Sequence, residues 1–198
     1  MKDRWYGDNR DLIKWGVLLK LAENFGAERV LQLAFYRPST FGQIVIDGQN
    51  HDIPKEVIVH FRNLRMITGL SSKIRVTVFD PVFQERGTYL QAVLKVLLSF
   101  STERCIVFLD PDTGLEPRKP DLRHVLNDEA KVIWDGMKKD DVFTLYQHRT
   151  NPADQSQSWI KERRDQLAGA LGVQLGAIRK AQAPNIANDV VFFFLQRT

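Results

Sequence analysis

The sequence predicts an α/β fold: a single domain over residues 1–198 on a Rossmann-like, doubly wound sheet, mostly parallel, with an antiparallel pair at its C-terminal edge. Three observations predict it. Short apolar runs such as Cys105-Ile106-Val107-Phe108-Leu109 alternate with longer stretches of helical periodicity, as strands buried beneath crossover helices do. The last two strand-like runs, 173–178 and 189–196, have no helical stretch between them, so they pair antiparallel. A chain of 198 residues, 43% hydrophobic and 26% charged, buries one core without disulfides, and no repeat or long linker divides it.

Taken in order, Asp8 or Asn9 caps a helix running to Phe25, with Asp11 near its positive end and Gly26 after its last apolar position. Its apolar interior, from Leu12 and Ile13 to Leu19 and Leu21, calls for cover on more than one side. Lys14 interrupts that interior; it snorkels to the surface, pairs with Asp11, or carries its charge into the cleft above the sheet. Arg29 to Tyr36 reads as the first buried strand, bounded by Gly26 and Pro38. Asp47-Gly48 turns a hairpin arm over 43–50. Pro54 opens a helix with Val57, Ile58, Phe61 and Leu64 on one stripe.

A strand over Ile74 to Phe79 ends at Asp80-Pro81, and a helix over 89–100 buries Leu90, Val93, Leu94, Leu97 and Leu98. The strand 105–109 stops at Asp110-Pro111; helix 128–137, strand 142–146 and helix 157–171, closed by Gly172, follow. The loop from Asp110 to Asn127 is stiffened by Pro111, Pro117 and Pro120, and a loop this long in a compact domain is a place for function. Phe192-Phe193-Phe194 in the last run reads as core.

The single Cys105, inside an apolar run, suits a core residue in a reducing compartment. No stretch reaches the apolar length of a membrane span, and Met1-Lys2-Asp3-Arg4-Trp5 does not open a signal peptide. A cytoplasmic protein without a membrane partner is expected. The formal charge of +4 and pI near 9.2 admit RNA or DNA as a partner. The densest basic group, Lys161, Arg163 and Arg164, is interleaved with Glu162 and Asp165 and suits a solvated helix face. Nothing in the pattern sets an oligomeric state.

Ligands of parallel α/β sheets bind beyond the carboxyl ends of the strands. The residues at those exits are Tyr36 and Arg37, then Asp80, then Asp110 to Glu116, then Gln147, His148 and Arg149. Asp110, Asp112 and Glu116 place three carboxylates after one strand, suited to hold Mg or Mn or to accept hydrogen bonds from an amine or hydroxyl. Asp-Pro-Asp-Thr-Gly is equally good turn chemistry. His148 stands directly after a strand, where an imidazole can carry a proton. No Walker loop, paired-cysteine zinc pattern or nucleophile elbow is present.

The order of elements, closing on an antiparallel pair after five parallel strands, resembles the class I S-adenosylmethionine-dependent methyltransferase fold. Asp8-Asn9-Arg10-Asp11-Leu12-Ile13-Lys14-Trp15 resembles the opening Asn-His-Ala-Asp-Val-Leu-Lys-His segment of a bacterial ribosomal RNA adenine methyltransferase, with Asn9, Asp11 and Lys14 matching. Asp110-Pro111-Asp112-Thr113 stands where that family has Asp-Pro-Pro-Tyr, the loop that grips the amine. Tyr6-Gly7-Asp8, Phe108 to Glu116 and Tyr146-Gln147-His148 resemble, over nearly the whole chain, a set of uncharacterised bacterial proteins. The chain departs from the methyltransferase pattern at Phe35-Tyr36-Arg37-Pro38-Ser39, where a glycine-rich turn would be. It departs again at Asp112 and Thr113, which replace the loop's second proline and its aromatic residue.

The resemblance implies a methyltransferase-like enzyme with nucleic acid as a candidate substrate, S-adenosylmethionine as cofactor, Asp110, Asp112 and His148 as catalytic residues, and Lys14, Tyr36 and Asp80 beside the cofactor. Two alternatives stand beside it. One is a metal-dependent hydrolase or nuclease holding Mg or Mn on Asp110, Asp112 and Glu116. The other is a non-catalytic binding module on the same fold.

Overall fold

The computed structural model describes residues 8–38, 42–149, 151, 156 and 158–198; Tyr6, Gly7, Ser39 and Gln157, which figure in the expectations above, lie outside them. Helix α1 (Asn9–Phe25) begins where the Asp8 side chain accepts from the amides of Arg10 and Asp11, and ends at Gly26 in the left-handed region at φ 61°. The chain then enters β1 (Arg29–Leu33), a projecting hairpin of β2 (Gln43–Ile46) and β3 (Gln49–Asp52), the short helix α2 (Lys55–Phe61), and β4 (Arg75–Phe79). Helix α3 (Arg86–Ser99) leads to β5 (Cys105–Leu109). The following loop holds a small parallel pair, β6 (Gly114–Leu115) and β7 (His124–Val125). Helix α4 (Asn127–Gly136), β8 (Val142–His148), α5 (Ser158–Leu171), β9 (Arg179–Ala183) and β10 (Ala187–Gln196) complete the chain.

The main sheet has six strands in the order β4-β1-β5-β8-β10-β9. β4, β1, β5 and β8 pair in parallel, whereas β10 runs antiparallel to both β8 and β9. β9 therefore points the same way as β8, giving five strands in one direction and a reversed last strand inserted between its two predecessors. The sheet is a Rossmann-like α/β sheet, and its order reverses between β1 and β5: β1 leads to β4 on one side, β5 to β8 on the other. A crevice opens beyond the strand ends at such a point.

Strand alternation divides the core. Leu31, Leu33, Val107, Leu109, Phe143, Leu145, Val191 and Phe193 share one face with α3, α4 and α5, while Val30, Ile106, Phe108, Tyr146, Phe192 and Phe194 face α1. Phe192, Phe193 and Phe194 are all buried, and Cys105 is a buried free thiol. Among the described residues no helix is long and apolar enough to cross a membrane.

Several boundaries differ from those the sequence suggests. The first strand ends at Leu33, because Phe35 takes a left-handed φ of 42° and Tyr36 makes only an isolated bridge to Val82. Helix α3 starts three residues earlier than expected, since Glu85 caps it by accepting from Gly87 and Thr88. The apolar run 173–178 is not a strand: Ala177 and Ile178 bond back to Gln174 and Leu175 in a tight helical turn, and the strand is the polar segment after it. That polarity suits a sheet edge. The stripe on α2 is not buried, with Val57 and Phe61 exposed and only Leu64, beyond the helix, covered. Helix α1 packs on one sheet face and leaves Leu12 63% exposed.

Candidate functional site at the exit of β5

Asp110 leaves β5 with its amide still bonded to the Leu33 carbonyl of β1, so its side chain stands at the crevice beside the topological switch. It is 1% exposed. A buried carboxylate needs donors, and two converge on its Oδ2: Lys14 Nζ at 3.0 Å from α1 and Gln32 Nε2 at 2.6 Å from β1. Lys14 Nζ also donates to Asp11 Oδ1 at 2.7 Å and lies 5.6 Å from the Tyr146 ring centre. Burial alone would depress the Lys14 ammonium; Asp110 and Asp11 outweigh it and hold its pKa above the ordinary lysine range. Lys14 is therefore a fixed cation shared by two carboxylates: it pairs with Asp11 and borders the cleft, while at 5% exposure it does not snorkel to the surface.

With Oδ2 taken, Asp110 Oδ1 has no donor among the described residues and borders a cleft of about 260 Å³. The first turns of α1 form one wall, with Arg10 and Lys14 one turn apart, and Pro111 to Thr113, Tyr146 and His148 form the other. Burial pushes the Tyr146 phenol above its ordinary range against the pull of Lys14, so it remains neutral.

The loop that carries Asp110 is clamped from below. Gln147 is fully buried; its Oε1 accepts from Leu115 N at 2.9 Å, and its Nε2 donates to the carbonyls of Thr113 at 3.0 Å and His148 at 2.9 Å. His148 N adds a bond to Thr113 O at 2.9 Å. The clamp requires Gly114, at φ 115°, because a Cβ there would fall inside the Gln147 amide.

His148 reaches the rim of the cleft. Its Nε2 lies 3.1 Å from Asp189 Oδ2 and its Nδ1 2.7 Å from the Arg149 carbonyl. Both ring nitrogens thus face acceptors, and the ring ties β8 to Asp189. Arg10 binds the same Asp189 oxygen. Burial opposes ionisation of Asp189, yet Arg10 and His148 prevail and hold its pKa below the usual aspartate value.

The structure does not bring the remaining candidates to this point. Asp112 borders the cleft but forms an ion pair with Arg37, linking the β5 exit to the β1 exit. Glu116 turns away: its Oε1 accepts from Asn127 N at 2.9 Å at the start of α4, in a separate open pocket with Arg163 and Gln166. The three carboxylates expected to share a cation are therefore spent in three directions, and no group of three His, Cys, Asp or Glu side chains placed to hold a metal occurs among the described residues. Asp80 is gripped by Arg65 through both carboxylate oxygens at 2.9–3.2 Å. Tyr36 packs on Ala34 and Leu64. Neither borders the cleft with Lys14.

Gln32 and Asp189 were missed in the sequence. Gln32 is the lone polar side chain between Leu31 and Leu33 in a buried strand, and that break in an apolar run was the available signal. Asp189 stands in the last strand beside His148, a proximity that only the sheet order creates. A scan against protein-family models gives no match, and a search of curated proteins gives none either.

Proposed function

We propose that the protein is an amine-recognising protein on a methyltransferase-like fold, in which the cleft takes an amino group and Asp110 accepts its N–H. The observation that carries this reading is a buried carboxylate at the β5 exit whose Oδ2 is fixed by Lys14 and Gln32 and whose Oδ1 is left to the cleft. Lys14 is shared between two carboxylates, so Asp110 Oδ1 keeps the capacity to accept from a further donor. The reversed β10, inserted between β8 and β9, agrees with the resemblance. So does the meeting of the α1 segment and Asp110 to Thr113 in one cleft. Arg118 and Lys119, exposed on the loop after the site, suit the phosphates of an RNA or DNA strand that carries the amine.

S-adenosylmethionine fits the residues present poorly. Beyond β1 and β4, Arg37 bridges to Asp112, Arg65 occupies Asp80, and Phe35, Phe83 and Tyr89 fill the space with ring centres 4.9, 5.0 and 5.1 Å apart. No methyl-transfer step is assigned. Mg or Mn suits the site less than an amine does, because Asp110, Asp112 and Glu116 diverge.

Thermal denaturation of wild type and Asp110→Asn with benzylamine, adenosine, S-adenosylmethionine, its demethylated product, Mg and Mn tests the reading. Ligand at a hundred times its Kd stabilises by about 2.7 kcal/mol. An amine probe is expected to raise the wild-type Tm, with the shift lost in Asp110→Asn. A wild-type protein that no amine stabilises would sink the proposal, and a shift with S-adenosylmethionine would return methyl transfer to it.

A further inference from the structure

We infer that the cleft selects a cationic ligand, a primary alkylammonium, over a neutral amine. The inference rests on the assignment of Asp110 to an amine and adds the charge that the amine must carry. Asp11, Lys14 and Asp110 are all buried and form one connected group, with Lys14 Nζ 2.7 Å from Asp11 Oδ1 and 3.0 Å from Asp110 Oδ2. Two carboxylates share one ammonium, and Gln32, the other donor to Asp110, is neutral. The group is one positive charge short, and burial makes that shortfall costly.

The charges around this group are committed elsewhere. Arg10, one turn before Lys14, binds Asp189 and lies 3.5 Å from Asp8. Arg37 binds Asp112. The amides that open α1 donate to Asp8, so the positive end of the helix is spent there too. His148 faces Asp189 at 3.1 Å, and a proton on its ring would offset that carboxylate and not Asp110. The chain carries a formal charge of +4, so the acidity is local to the cleft and draws a cation inward.

Asp110 Oδ1 is where the missing charge can enter. Asp110 is almost wholly buried, yet this oxygen has no donor among the described residues and borders the cleft. An alkylammonium brings an N–H together with the missing charge, and a hydrogen bond between ions is stronger than one from a neutral donor. An aromatic amine, a nucleobase among them, supplies the hydrogen bond alone. A divalent metal ion supplies charge but needs several oxygens, and no group of three metal-ligating side chains occurs among the described residues.

The test is ligand-observed NMR titration of the full chain at neutral pH, as wild type, Asp11→Asn and Asp110→Asn, with benzylamine, which is then a cation, and aniline and adenosine, which are neutral. Wild type is expected to bind benzylamine about tenfold more tightly than either neutral probe. Asp11→Asn keeps an acceptor for Lys14 and removes the excess negative charge without changing Asp110. It should weaken benzylamine about three- to tenfold and leave aniline unchanged. Asp110→Asn should weaken all three. Neutral probes as tight as benzylamine on wild type, or Asp11→Asn without a selective effect on benzylamine, overturn the inference while the Asp110 reading stands; probes indifferent to Asp110→Asn overturn both. The wild-type comparison decides if Asp11→Asn does not fold. n-Butylamine and Nα-acetyl-lysine amide carry the same head group free and on a lysine. The tighter of the two on wild type identifies the source, and binding of neither overturns the inference.

Discussion

Lys14 and Asp110 meet at 3.0 Å across 96 residues of chain, one from the first helix and the other from the end of a central strand, and both are almost wholly buried. The contact ties α1 to the sheet and fixes the charge state of the site. It also makes the site sensitive to the loss of either partner.

Lys14→Met should destabilise the fold by about 3–5 kcal/mol, because it leaves Asp110 and Asp11 as buried charges without their cation. Lys14→Met/Asp110→Asn should recover part of that loss, and urea denaturation of the single and double variants reads the coupling. Additive effects would show that the two charges do not interact. The pH direction follows from the raised pKa: the stabilisation is complete below about pH 10.5 and is lost as pH rises through the folded-state value.

Phe193→Ala should cost about 3–5 kcal/mol, since its ring is fully enclosed between the sheet and the α3, α4 and α5 layer. Val45→Thr in the projecting hairpin should stay within about 0.5 kcal/mol, as the residue is 67% exposed. Equal losses in a denaturation series would mean that the hairpin is covered in solution.

Much of this architecture was legible because buried strands write themselves as continuous apolar runs: 105–109 is a strand end for end, and the Asp47-Gly48 turn appears where its dipeptide stands. The strand expected over 173–178 failed because an apolar lead-in and an apolar strand look alike, while the actual edge strand, Arg179–Ala183, is polar. The site was legible in part for a related reason. Asp110, Asp112, Lys14 and His148 could be named from strand exits and a break in a helix pattern. Their partners Gln32 and Asp189 are set by which strands are neighbours, and so is the divergence of Glu116.

His124 supplies an acid-side test. It is buried, its Nδ1 accepts from the Asp121 amide at 3.2 Å, and burial, against the pull of Asp121, holds its pKa below the ordinary histidine value. The unfolded chain then binds a proton that the folded chain resists, so stability should fall as pH drops below about 6.5, by at most about 1.4 kcal/mol per pH unit. His124→Asn should flatten that decline in Tm measured from pH 7 downward. An unchanged slope would assign the acid sensitivity to other groups.

Gly114→Ala tests the clamp beneath Asp110 without touching a charge. At φ 115° an alanine is strained by about 1–3 kcal/mol, and its Cβ would displace the Gln147 amide that binds Leu115, Thr113 and His148. The variant should therefore lose stability and, at temperatures where it remains folded, bind amine probes more weakly than wild type. Gln147→Met removes all three bonds at similar volume without burying a charge, so it should loosen the loop while the strand beneath it stays packed. Amide hydrogen exchange at Thr113 and Leu115 separates the two effects. Faster exchange there in Gln147→Met, with the rest of the sheet protected as in wild type, is the expected pattern; unchanged exchange would mean that the loop holds its shape without the clamp.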